Sequence, residues 1–137
     1  QPANHRSQQM QGKTNTVVMD AYNANPTSMH AALDDFLQYT GGRRGVILGD
    51  MLEVGAGEEE EHRRLLERLT EARLETVVLV GRIFSRFADA YPRFHFFDTA
   101  DACEIFLHRQ KPSHTTFLVK GSRRISLEKT TKPLLDC

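Results

Sequence analysis

Apolar positions along this chain switch between a two-residue and a three-to-four-residue period, and the switches mark the elements. The β-branched run Thr16 to Met19 predicts a strand. After it, Asn25-Pro26 supplies a helix cap and a first-turn proline. Met29, Ala32, Leu33, Phe36 and Leu37 then recur at helical spacing until Gly41-Gly42. Gly45 to Leu48 reads as a buried strand, and Glu58 to Ala72 as an amphipathic helix with Leu65, Leu66 and Leu69 turned inward. Its opening run Glu58 to Glu61 suits the positive end of the helix dipole. Thr76 to Val80 is a continuous apolar run of the kind covered on both faces of a parallel sheet. A helix from Ile83 to Tyr91 stopped by Pro92, a strand from Phe94 to Phe97, a helix from Ala100 to Arg109, a strand from Thr115 to Val119 and a short helix around Leu127 to Leu135 complete the series. The stretch Arg6 to Gln11 can turn back through Gly12-Lys13-Thr14-Asn15 and pair antiparallel with the first strand.

Strand and helix alternating with short connections predict an α/β fold, a doubly wound, Rossmann-like sheet of about six strands. Five would run parallel and one antiparallel at an edge, with helices on both faces. Residues 1–15 read as a hinge and edge-strand segment from a preceding domain and 16–137 as the domain proper. The polar opening and the first residue, Gln1, are what a piece of a larger protein would show.

Composition narrows the partners. A chain of 137 residues, 39% apolar, can build one core and is short for two. Eighteen basic and 18 acidic side chains cancel, so no overall field draws nucleic acid or an anionic membrane surface. No apolar run approaches the roughly 20 residues of a membrane span, and a soluble, cytoplasmic protein is expected. The two cysteines, Cys103 and Cys137, are too few and too far apart for a disulfide framework.

The chemistry gathers where the expected strands end. Asp20-Ala21-Tyr22-Asn23-Ala24-Asn25-Pro26 places an acid, a phenol and two amides at a strand-to-helix junction, where unpaired backbone amides can bind an anion or orient a polar ligand. Asn25 can equally be a helix cap and Asp20 a turn acid. Asp50 follows a strand in Leu48-Gly49-Asp50-Met51, placed either to accept from a ligand hydroxyl or ammonium group or to serve a turn. Lys120, Ser122, Arg123 and Arg124 surround Gly121, and amides, a hydroxyl and cations are what a carboxylate or phosphate needs, although a solvated basic loop has the same composition. Parallel strands would bring the three clusters to one sheet edge, where open α/β sheets bind ligands.

Other residues say less. His62 has no second His or Cys at metal-ligand spacing, and Cys103 shares a helical face with Phe106 and Leu107, as a core thiol would. The chain lacks both the G-x-x-x-x-G-K-[ST] and the G-x-G-x-x-G pattern, so it has neither familiar cradle for a triphosphate or dinucleotide.

The three clusters together, Tyr22-Asn23-Ala24-Asn25-Pro26 with Leu48-Gly49-Asp50-Met51 and Lys120-Gly121-Ser122-Arg123, resemble the C-terminal domain of the Mur ligases. They are most similar to the members that join D-alanyl-D-alanine to UDP-N-acetylmuramoyl-tripeptide. The resemblance implies an ATP-dependent ligase that phosphorylates a carboxylate, so that the incoming amine can attack the acyl phosphate. It implies that ATP and Mg are held mainly by a central domain, with an N-terminal domain for the UDP-sugar. Carried over by motif, Arg6 would reach ATP phosphate and act in catalysis, and Asp20 would meet the ribose. Tyr22, Asn23 and Asn25 would face the reaction centre and the bound dipeptide, with Lys120, Ser122 and Arg123 on its carboxylate; Asp50, to which the motif assigns no role, is a further substrate-binding candidate. Arg124 departs from the small residue often found there. Another Mur or folylpolyglutamate-type ligase, or a stand-alone doubly wound binding module, would share the fold.

Overall fold

The computed structural model describes residues 7–20, 23–39 and 41–137. Six strands form one sheet: β1 (Ser7–Gln11), β2 (Thr16–Asp20), β3 (Arg43–Gly49), β4 (Thr76–Val80), β5 (His95–Phe97) and β6 (Thr115–Lys120). Their spatial order is β1-β2-β6-β3-β4-β5. Only the β1–β2 pair is antiparallel, with Ser7 opposite Asp20. The remaining pairs are parallel. The expected doubly wound sheet with an antiparallel edge is therefore present.

Strand alternation divides the core. Val46, Leu48, Val77, Leu79 and Leu118 face one side and pack against α1 (Pro26–Phe36), α2 (Glu58–Glu71) and α3 (Arg82–Ser85). Ile47, Val78, Val80, Phe117 and Val119 face the other and pack on α4 (Ala100–Gln110) and α5 (Thr131–Asp136). At the edge away from the strand-end clusters, Asn15 is buried. Its amide donates to the carbonyls of Pro112 and Leu134, at 2.8 Å each, and its oxygen accepts from Thr115 N–H at 2.9 Å. One side chain thus ties the β1–β2 turn to α5 and to the entry of β6.

Three helices depart from the sequence pattern, each for a local reason. α1 stops at Phe36 rather than near Gly41, because Arg44 reaches across to the carbonyls of Leu37 and Tyr39 and satisfies the open helix end. The helix expected from Ile83 to Tyr91 is short, ending at Ser85 before a 3-10 turn at Ala88–Ala90. Phe84 and Phe87 are both buried, and tightened i to i−3 bonds carry the chain between them. The last helix begins as a 3-10 turn, Leu127–Thr130, and becomes α-helical only at Thr131, with Pro133 in its first turn, where no N–H is needed.

Candidate functional site

The strand-end clusters do meet at one edge, and two glycines set how closely. A Cβ on Gly121 would lie 2.7 Å from the Cα of Gly49, a distance side chains do not reach, so β3 and β6 leave the sheet in direct backbone contact. Beyond them the two turns lock together. Ser122 N–H donates to Asp50 O at 3.1 Å, and Leu52 N–H donates to Ser122 Oγ at 2.9 Å.

Parallel register places Lys120 beside Asp20. The Lys120 ammonium lies 3.1 Å from Asp20 Oδ1 and donates to the carbonyl of Asn23 at 3.1 Å. Lys120 is only 1% exposed, and burial pulls its pKa below the ordinary lysine value while the Asp20 carboxylate pushes it back up. In this structure the Lys120 ammonium, expected to meet a ligand carboxylate, is turned inward toward Asp20 and the Asn23 carbonyl.

Asp50, expected at the ligand site, is likewise turned inward. It is buried, and its two oxygens accept from Ile83 N–H at 2.8 Å and Phe84 N–H at 2.9 Å, at the start of α3. Gly81, at φ 130°, leaves the space that the carboxylate fills. Burial raises the Asp50 pKa, and the two amides oppose that rise.

The remaining predicted residues present polar groups outward. Asn25 caps α1: its oxygen accepts from Ser28 N–H at 2.8 Å, and Ser28 Oγ bonds back to Asn25 N–H at 3.0 Å and to the Asn23 carbonyl. The capping reading of Asn25 is thus correct, yet Asn23 and Asn25 are both exposed. Ser122 is half-buried, and Arg123 and Arg124 are exposed on the 3-10 turn Arg123–Ile125. Arg6 and Tyr22 lie outside the described residues. From Asp20 and Lys120 a groove of about 670 Å³ extends along α1, past Ser28 and Asp35 to Tyr39.

Away from this edge, burial pushes the Cys103 thiol up to about 12, in keeping with a core residue. No group of three or more His, Cys, Asp or Glu side chains suited to a metal ion occurs among the described residues. Neither is any helix among them long and apolar enough to cross a membrane.

The edge thus joins a half-buried carboxylate, exposed amides, a hydroxyl and an exposed guanidinium around a rigid pair of turns. Such a set can accept from ligand hydroxyls at one end and bind a carboxylate at the other. Sequence reasoning did not find the part played by His62, which is fully buried behind the second turn. Its place in an apolar helix stripe with Leu65, Leu66 and Leu69 was the available signal.

Comparison with known proteins bears on this arrangement. Residues 5–123 match the family described as Mur ligase, glutamate ligase domain. The UDP-N-acetylmuramoyl-tripeptide--D-alanyl-D-alanine ligase of Escherichia coli is 35% identical over 119 residues, 85% of this chain and 26% of that protein. The ligase of the same name from Rickettsia prowazekii is 31% identical over 116 residues, 82% of this chain and 26% of its own length. A crystal structure of MurF from Acinetobacter baumannii superposes with a TM-score of 0.82 at 32% identity, covering 98% of this chain and 30% of that one. The chain therefore spans about a quarter of the curated relatives it matches.

Proposed function

Since the chain belongs to the Mur ligase family, we propose that it is the C-terminal domain of an ATP-dependent ligase that adds D-alanyl-D-alanine to UDP-N-acetylmuramoyl-tripeptide in peptidoglycan precursor synthesis. The observation that carries this reading is the strand-end edge itself: polar groups for a ligand stand on a rigid base, in a chain with no phosphate-binding loop of its own. Such an edge suits half of a site completed by other domains of the same cytoplasmic enzyme.

Asp20, 14% exposed beside Lys120, fits a ribose hydroxyl of ATP, because an ionised carboxylate held in place accepts well. No group of His, Cys, Asp or Glu side chains suited to a metal ion occurs among the described residues, and the central domain of the ligase would hold Mg and the triphosphate, toward which Arg6 of the hinge segment 1–15 would reach. Bound ATP supplies the phosphoryl group that activates the acceptor carboxylate. This chain's own residues do the placing. Tyr22, Asn23 and Asn25 orient the dipeptide amine, and Ser122 and Arg123 hold its carboxylate. The guanidinium is the stronger candidate for that clamp, since the Lys120 ammonium is turned inward.

The test is a full-length ligase carrying this domain, supplied with UDP-N-acetylmuramoyl-tripeptide, ATP and one amine at a time. ADP release with D-alanyl-D-alanine, and none with glutamate or diaminopimelate, is expected; turnover with either of the latter instead would overturn the reading. Arg123→Ala should raise KM for the dipeptide about tenfold, the loss of roughly 1.4 kcal/mol, and leave KM for ATP unchanged.

A further inference from the structure

His62 sits on α2, one layer behind the ligand-facing turns, and is fully buried. Its Nε2 is 3.0 Å from Met51 N, and its Nδ1 is 2.6 Å from Glu58 O. The partners dictate the tautomer. A backbone N–H can only donate and a carbonyl can only accept, so Nε2 must carry a lone pair and Nδ1 the proton. The nearest carboxylate, Asp50, has Oδ1 3.9 Å from Nε2, but both its oxygens are already taken by Ile83 and Phe84.

Met51 is flanked by the two residues that grip the β6 turn. Asp50 O accepts from Ser122 N–H, and Leu52 N–H donates to Ser122 Oγ. The Met51 amide lies between these two bonds, and its partner is the imidazole.

We propose that His62 is a positioning residue for this site: as a neutral, Nδ1-protonated imidazole it fixes the bend from Asp50 to Leu52, and through it the orientation of the Ser122 hydroxyl and the Arg123 turn. The role rests on the reading above in which Ser122 and Arg123 face the dipeptide. Ser122 Oγ, having accepted from Leu52, is left with its own proton to donate, and a carboxylate oxygen is a suitable acceptor. The imidazole thereby selects which way the hydroxyl presents that proton. His62→Gln keeps an acceptor for Met51 N–H, whereas His62→Leu fills the space and offers none.

The experiment has two arms. In the 137-residue chain, imidazole nitrogen NMR of the unsubstituted protein should show Nδ1 protonated and Nε2 bare at neutral pH. Amide exchange at Leu52 and Ser122 should speed up about tenfold in His62→Leu, relative to Val78 and Leu79 of the sheet core, and recover in His62→Gln. In the full-length ligase, His62→Leu should raise KM for the dipeptide about tenfold with kcat and KM for ATP held within about twofold, and His62→Gln should restore it. A protonated Nε2, or equal acceleration of exchange at core and turn in both variants, would overturn the proposal. If the turn amides respond as expected while the unsubstituted ligase uses a different amine, the positioning role stands and the dipeptide reading falls.

Discussion

Lys120 Nζ lies 3.1 Å from Asp20 Oδ1, on adjacent parallel strands at the same register position. The ammonium is nearly closed off from water, and it also donates to the Asn23 carbonyl. Removing one partner of such a pair leaves the other charge poorly solvated, which is the costly case for buried ions. Lys120→Met should therefore destabilise the chain by about 3 kcal/mol. Asp20→Asn should cost at least as much, because it takes the carboxylate from the more deeply buried Lys120 ammonium, whereas Lys120→Met leaves Asp20 with some access to solvent. Urea denaturation of the two single variants and the double variant checks this, and a coupling energy near zero would show that the contact is incidental.

Gly81 gives a sharper steric prediction. Its φ of 130° disfavours any L side chain, and a Cβ there would overlap the Asp50 carboxylate that caps α3. Gly81→Ala must displace Asp50, and so loses both cap bonds as well as the backbone geometry. A loss of roughly 3 kcal/mol or more is expected. Gly57→Ala, with open space around it, is the control and should change stability by less than about 1 kcal/mol.

Much of this edge was legible in the sequence because strand and helix periods survive in buried segments. Val46 to Leu48 and Thr76 to Val80 are covered on both faces, so their residues stay apolar throughout and read as parallel strands. That placed Asp20, Asp50 and Lys120 at one edge. Which way each polar group points was not legible, because the same residue types serve ligands and turns. Asp50 satisfies helix amides and Lys120 an internal carboxylate, and both partners are supplied by segments distant in sequence or by an adjacent strand. The ends of α1 and α3 were missed for a similar reason. Arg44 closes the first from a neighbouring strand, and the spacing of Phe84 and Phe87 fits a 3-10 turn as well as a helix.

The two thiols should differ in reactivity. Cys103 is fully buried with its pKa pushed up to about 12, so almost no thiolate forms near neutral pH. Cys137 is half-buried at the C-terminal end, with Sγ 3.1 Å from Pro133 O. A disulfide reagent such as DTNB should titrate one thiol of the native chain and both in denaturant. Rapid native labelling of Cys103, identified by peptide mapping, would contradict the packing.

Acid should weaken the fold before its carboxylates titrate. Burial lowers the pKa of His62, His95 and His30 below the ordinary imidazole value of 6.5. The unfolded chain then takes up protons first, so their contribution is whole above about pH 6.5 and declines as pH falls through that value toward the folded pKa. For His62, Asp50 and Glu58 oppose the shift, and Arg86 reinforces it. Asp50 acts with the opposite sign. Its folded pKa is raised above 3.8, so the folded chain takes that proton first and regains stability as pH falls into that window. Thermal unfolding followed from about pH 7.5 to 5.5 should show a falling Tm, with a slope of up to about 1.4 kcal/mol per pH unit for each proton taken up on unfolding. In His62→Gln the slope should be visibly shallower, since the one fully buried imidazole of the three is gone. An unchanged slope in that variant would mean that His62 titrates alike in both states, and that the imidazole is not held neutral between Met51 and Glu58.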